Sequence, residues 1–145
     1  MSDRCTVTMI YQAKDADKIG EALGENAILS RGKRWCEDVF PDARYGYYCE
    51  RERLSEDGIV FMGSHTSGHE YDSCLFAAIN GRMHEVRAGA SDGCFLAVVV
   101  PDPAARTGWV ADEQSLKEVN NYIEAVKKIQ GMAEYDSAIP WHSHL

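Results

Sequence analysis

The stretch CLFAAINGRMHEVRA, residues 74–88, decides the fold. Asn80-Gly81 supplies two consecutive positions that tolerate positive φ, which a two-residue type I′ turn requires. The apolar runs on either side then become the arms of a β-hairpin, in which residue i pairs with residue 161 − i. Cys74 faces Arg87 and Ala77 faces His84, so Cys74 and His84 are not direct neighbours. A hairpin this tight joins antiparallel strands, and antiparallel pairing is therefore expected of the surrounding sheet.

Working outward, IVFMGS at 59–64 reads as a strand entered through the turn residues SEDG at 55–58. YGYYCERER, from Tyr45 to Arg53, has the tyrosine content and alternating charge of a half-exposed strand. GASDG at 89–93 is a further turn, and the uninterrupted run CFLAVVV at 94–100 predicts a central strand covered on both faces. Upstream, CTVTMIYQ at 5–12 alternates apolar and polar residues, placing Cys5, Val7, Met9 and Tyr11 on one strand face. Asp15 is the expected N-cap of a helix carrying Ile19, Ala22 and Leu23, which Gly24 can end. The four-residue spacing of Trp35 and Val39, followed by Pro41, predicts a second short helix at 32–40. Downstream, Leu116, Val119, Ile123, Val126 and Ile129 form the apolar stripe of a long helix between Asp112 and Gln130. Glu113–Lys117 and Glu124–Lys128 are favourable i,i+4 pairs on its outer side, and Gly131 is placed to end it.

The expected class is α+β: an antiparallel meander sheet of about six strands, two short N-terminal helices and one long C-terminal helix. The 145 residues suit one domain spanning 1–145. Tyr135, Ile139, Trp141 and Leu145 make residues 132–145 an aromatic segment that packs on the sheet or on a partner. The element order, with AKDADKIGEAL after the first strand and TGW before the last helix, is similar to the helix-grip arrangement of the START/Bet v1-like superfamily. That resemblance implies a curved antiparallel sheet wrapping the C-terminal helix, often around an apolar ligand cavity. The strand count here is one short of that fold, and fold similarity alone carries no function.

Acidic residues outnumber basic ones 23 to 15, for a formal charge of −8 spread along the chain. Such a charge repels phosphate backbones and argues against non-specific nucleic-acid binding. Arg31-Gly-Lys33-Arg34 is the local exception, read as a solvated loop or helix start, with an anion contact as the alternative. Five widely spaced cysteines and no apolar segment after Met1 argue against a secreted disulfide framework. The longest apolar run, Phe95 to Val100, is too short to span a bilayer. A cytoplasmic protein with reduced thiols, not associated with membrane, is the expectation.

The chemically richest stretch is GSHTSGHEYDSC, residues 63–74. His65 and His69 have zinc-pair spacing, but Thr66, Ser67 and Gly68 between them are poor helix formers. His69-Glu70 begins like a metalloprotease motif, yet Ser73 stands where its second histidine belongs. His65-Thr-Ser67 matches one half of the paired 2H phosphoesterase motif, and no second copy exists. A loop zinc site would need further ligands brought by folding, with Cys74, Asp72, His84, His142 and His144 available. Cys74 lacks any nucleophile-elbow or CxxC context, and no glycine pattern forms a phosphate cradle.

With no complete catalytic constellation, the chain reads as a non-enzymatic binding domain that holds a protein partner or small molecule on its sheet and loops. Candidate contact residues are His65, His69, Glu70, Tyr45, Tyr47, Trp35 and Trp141, with no catalytic residue, metal or cofactor expected. Two alternatives stand beside it. The apolar tail suggests a subunit of a larger homo-oligomeric assembly. The His65/His69/Cys74 loop suggests a hydrolase-type enzyme, with or without a metal.

Overall fold

Asn80 and Gly81 both adopt positive φ, 56° and 77°, and the turn they form fixes the register of everything beside it. A computed structural model describes residues 4–24, 27–68, 71–88, 95 and 98–133. Cys74–Ile79 (β5) pairs with Arg82–Arg87 (β6) in the expected register, Cys74 opposite Arg87 and Ala77 opposite His84. Phe61–His65 (β4) adds antiparallel to β5, with His65 opposite Cys74. Arg4–Gln12 (β1) lies on the other side of β4, followed by Trp35–Arg44 (β3) and Ala27–Arg31 (β2). The result is a six-stranded sheet in the order β2-β3-β1-β4-β5-β6, antiparallel throughout.

Helices cover both faces. Ala16–Leu23 (α1) and Tyr48–Glu56 (α2) pack on the face carrying Val7, Met9, Tyr11, Phe40, Phe61 and Phe76. Glu113–Met132 (α3) packs on the opposite face, where Tyr122, Ala125, Val126 and Ile129 meet Ile10, Trp35, Met62, Ala77 and Val86. Asp112 caps α3 by accepting from the Ser115 backbone N–H, satisfying one of the donors that a helix start leaves open. Its buried face is centred on Tyr122 rather than on the expected stripe. Val126 and Ile129 are buried, Val119 and Ile123 partly so, and Leu116 is half exposed.

Four local expectations are corrected. Residues 32–40 form no helix; Trp35–Arg44 is a strand. A spacing of four residues returns to the same side in a strand as well as in a helix, so Trp35 and Val39 did not distinguish the two. Both faces of β3 are covered, which removes the polar alternation that marks a strand. Pro41 is tolerated at an irregularity: Phe40 pairs with Val7 and Ala43 with Cys5, leaving Pro41 and Asp42 bulged opposite Thr6.

Tyr45–Arg53 is not a strand either. Tyr45–Tyr47 makes a tight turn that leads into α2. Arg51, Leu54 and Ser55, at helical spacing, form the buried face. SEDG is the end of this helix rather than a hairpin turn. Gly58 (φ 85°) donates to Ser55 O at 2.9 Å, and Ile59 donates to Leu54 O at 3.0 Å. That pair of bonds is a Schellman cap, for which glycine is the favoured residue.

Of the central strand expected at 94–100, the described residues 98–100 are not central, and residues 94, 96 and 97 lie outside the described residues. Val99–Pro101 (β7) pairs with Trp109–Ala111 (β8) in a separate two-stranded hairpin, with Val98, Val99, Trp109 and Val110 exposed. Phe95 makes a single bridge to Ala88, and residues 89–94 with the GASDG turn lie outside the described residues. Because the hairpin β2–β3 separates α1 from α2 and helices cover both faces, the arrangement departs from the one the helix-grip resemblance implied. No described helix is long and apolar enough to cross a membrane.

Within the basic cluster, Arg31 makes a structural contact. Arg31 and the Tyr11 hydroxyl both bond the fully buried Asp38 carboxylate. Burial, then the hydrogen bond to Asp38, raises the Tyr11 hydroxyl pKa, so the group stays a protonated donor.

At Gly63 a Cβ would overlap the Thr8 carbonyl oxygen and press on Met9 Cα and Phe76. Gly63→Ala is therefore expected to destabilise by about 3 kcal/mol or more. At Gly20, in the middle of α1, a Cβ meets nothing within 4 Å. Gly20→Ala is expected to stabilise by about 0.5–1 kcal/mol. Urea unfolding of both variants checks the pair.

Candidate functional site

The register of β4, β5 and β6 brings three reactive side chains to one face. His65 sits directly opposite Cys74, and Glu85 sits opposite Phe76, one diagonal step from Cys74. Cross-strand diagonals of this kind stay within reach of long side chains. His65 Nε2, Cys74 Sγ and a Glu85 oxygen lie within 4.8 Å of one another.

From above, α2 lowers Arg51 onto this cluster. Its side chain is fully buried, and Nη1 donates to Glu85 Oε2 at 3.0 Å. Nε donates to the Gly46 carbonyl at 2.7 Å, and the guanidinium plane lies 4.2 Å from the Phe76 ring centroid. Nη2 is buried without a hydrogen-bond partner among the described residues. A buried guanidinium is tolerable only when an anion and further acceptors surround it, and Glu85 is that anion. Burial alone would raise the Glu85 carboxyl pKa. The facing His65, the Arg51 charge and the Cys74 thiol overcome burial and hold it at about 2.

His65 is oriented from behind. Its Nδ1 lies 2.9 Å from the Thr66 carbonyl, which can only accept, so Nδ1 carries the proton. Nε2 then points to Glu85 Oε1 at 3.6 Å. Thr66 is itself held by β1, donating its N–H to Thr6 O and accepting the Thr6 N–H at Oγ1, both at 3.0 Å. Cys74 lies beside the same carboxylate, and burial first, then Glu85, pushes its thiol up to about 12. A thiol held protonated in this way is a poor nucleophile at neutral pH.

The backbone beside the cluster is unusual. Tyr45, Gly46 and Tyr47 are consecutive left-handed residues, with φ of 51°, 61° and 56°. Each non-glycine residue held so costs on the order of 1–3 kcal/mol. Gly46 has no substitute here, because a Cβ would stand 2.8 Å from His65 Cδ2. The turn therefore presses backbone onto the imidazole, aims the Gly46 carbonyl at Arg51, and leaves Tyr45 at the surface.

Above the cluster opens a cavity of about 340 Å³. His65, Cys74 and Glu85 lie at its base, with Tyr45, Tyr48, Tyr71, Asp72 and Arg87 around them. Tyr71 stands edge-on to the His65 ring at 5.6 Å and tilted against Tyr45 at 6.0 Å. Gly68 lets the loop fold back, since a Cβ there would collide with the Tyr71 ring. A second cavity of about 480 Å³ shares Cys74, Glu85 and Arg87 and continues along β6 toward Asp112 and Ser115 of the α3 start. A third, about 650 Å³ between α1 and α2, is lined by Lys18, Glu21, Cys49 and Arg53, with none of the clustered groups.

The structure thus brings together His65 and Tyr45 of the sequence candidates. Tyr47 packs edge-on against Phe40 at 6.2 Å and is partly buried against the core. Trp35 is buried under α3 on the opposite face. His69, Glu70 and Trp141 lie outside the described residues. Sequence reasoning missed Glu85, Arg51, Tyr48 and Tyr71. Glu85 was accessible, because the 161 − i register already placed it one diagonal from Cys74. Arg51 was hidden by reading its helix as a strand. Comparison of the chain with protein-family models, with curated proteins and with solved structures gave no match.

If Arg51 and Glu85 depend on each other, Glu85→Gln strands a buried charge and should destabilise by about 3 kcal/mol. That is the low end for such pairs, because the Glu85 side chain keeps 23% of its exposure. Arg51→Met/Glu85→Gln should be no less stable than Glu85→Gln alone. Strict additivity in urea unfolding would contradict the coupling.

Proposed function

We propose that the protein is a small-molecule binding domain, with the tyrosine-walled cavity over His65, Cys74 and Glu85 as its ligand site. One observation carries this reading: strained backbone at Tyr45–Tyr47 and a desolvated charge network converge on the same open cavity. Proteins tolerate such strain and desolvation chiefly at sites of function. At about 340 Å³ the cavity lies at the small end of ligand pockets, which run from roughly 300 to 1,000 Å³.

The wall chemistry narrows the ligand. Three tyrosines line the cavity with their rings, while Asp72 and the rim Arg87 face each other at 3.9 Å and remain exposed. A compact planar molecule fits: an unsaturated or aromatic body to lie against the rings, and polar edges for Arg87 and the base. The thiol of Cys74, held up by burial and Glu85, weighs against a thiolate-based hydrolase.

Native mass spectrometry of the untagged protein taken directly from cell extract tests this reading. A bound small molecule is expected on the full-length chain. Tyr71→Ala should weaken its binding by about tenfold, the loss of roughly 1.4 kcal/mol. A bare chain from extract, together with equal binding by Tyr71→Ala of any ligand later found, would contradict it.

A second reading has its own observation. Val98, Val99, Trp109 and Val110 place exposed apolar side chains on and beside the β7–β8 hairpin, which suits docking of a second copy of the chain. Light scattering should then show an oligomer that Trp109→Glu dissociates. A monomeric wild type would remove this reading.

A further inference from the structure

We propose that His65 Nε2, Cys74 Sγ and Glu85 Oε1 form a three-ligand site for a zinc-class divalent ion, its fourth position open to the tyrosine-walled cavity. The proposal rests on the reading of that cavity as a ligand site and adds the group that would anchor the ligand. Among the described residues this is the only cluster in which three His, Cys, Asp or Glu donors lie close enough to share one ion.

The donor set is of the kind that selects zinc. One imidazole, one sulfur and one carboxylate oxygen match the ligand types of catalytic zinc sites, where three protein ligands leave a place for water or substrate. Each donor is presented by a different strand of a rigid antiparallel sheet, β4, β5 and β6. Nε2 and Oε1 are 3.6 Å apart, close to the roughly 3.3 Å between nitrogen and oxygen ligands on a tetrahedral zinc. All three donors lie within 4.8 Å of one another, so about 1 Å of side-chain rotation brings the sulfur to ligating distance; its close partners among the described residues include the carboxylate and a carbonyl at 3.7 Å.

The surrounding groups orient two of the donors, His65 and Glu85, toward the cluster. Zinc-binding imidazoles donate their second ring N–H to a carbonyl or carboxylate, and His65 Nδ1 does this toward Thr66 O. Glu85 gives Oε2 to Arg51 and keeps Oε1 for the cluster. The outer groups therefore occupy the far atom of each of these two side chains and leave the near atom converging.

Charge decides what the fourth position accepts. The ion displaces the Cys74 thiol proton to solvent, together with any proton on His65 Nε2, so each S–H or N–H bond that breaks is replaced by a bond to the metal. Thiolate and carboxylate then balance the dication, and the adjacent Arg51 leaves a net positive centre at the base of the cavity. An anionic oxygen donor, such as a small carboxylate, is the ligand class this favours.

Cobalt(II) titration of the full chain at pH 8 tests the site, since thiolate ligation gives a near-ultraviolet charge-transfer band. The expected result is one ion per chain, at least one proton released per ion, and displacement of cobalt by zinc. Cys74→Ser should abolish the band and weaken zinc binding at least about 100-fold, while Cys49→Ser, at an exposed cysteine, should leave both intact. Zinc-edge X-ray absorption of the zinc-loaded wild type gives a readout independent of the variant's folding: one sulfur ligand beside nitrogen and oxygen ligands is expected. No band, less than one ion per chain, or a ligand shell without sulfur would overturn the site. Tyr71→Ala separates the two proposals, because it should lose the small molecule and keep the metal. Metal bound at Cys74 with no small molecule would leave this site standing and remove the ligand reading.

Discussion

Arg51 is buried to zero exposure, and the Glu85 carboxylate is what makes that burial tolerable. A lone guanidinium in a protein interior is prohibitively unfavourable, so the helix carrying it can dock only where an anion waits. Glu85 is positioned by the hairpin register, which is itself set by two residues, Asn80 and Gly81. A turn at one end of β5–β6 thus fixes where α2 can pack at the other. The turn of Tyr45–Tyr47 follows from the same docking, because Gly46 must offer its carbonyl to Arg51 Nε and its bare Cα to the His65 ring.

The sheet divides its work between faces. Under α3 the contacts are apolar: Tyr122, Val126 and Ile129 against Ile10, Trp35 and Met62. Even the Tyr122 hydroxyl belongs to that environment, pushed up to about 12 by burial. The α2 face begins as an equally apolar core around Phe40, Phe61 and Phe76, then turns polar where β4, β5 and β6 reach His65, Cys74 and Glu85. Local stability is given up there, in strained tyrosines and a desolvated ion pair, and is supplied by the core behind it.

What could be read from sequence followed from signals with a single interpretation. The Asn-Gly turn specified its register to the residue, the alternation of β1 specified its faces, and the capped periodicity of α3 gave its extent nearly to the residue. The failures came where two periods coincide or a tertiary partner decides. Trp35 and Val39 satisfy a helix and a strand equally, and only the covering of both sheet faces chooses the strand. Tyr45–Arg53 has strand-like composition, yet Arg51 finds its anion only if the segment is helical. Of the site, His65, Cys74 and Tyr45 stood out as residue types, whereas Arg51 and Tyr71 depend on contacts no local pattern encodes. Glu85 lies between: the register places it one diagonal from Cys74, but nothing in the local sequence marks it apart from other surface carboxylates.

The ion pair at the centre of this account can be read at one atom. Because His65 and then Arg51 hold the folded-state pKa of Glu85 near 2, below its ordinary 4.5, these contacts stabilise the fold fully above about pH 4.5. That stabilisation is lost as the pH falls toward 2. The measurement is the Glu85 side-chain carboxyl carbon shift, followed by NMR in the folded protein from pH 7 downward. The account predicts a flat shift to below about pH 3.5, with the carboxylate ionised for as long as the chain stays folded. A titration centred near 4.5 would show that His65 and Arg51 do not hold this carboxylate, and would contradict the account at its base.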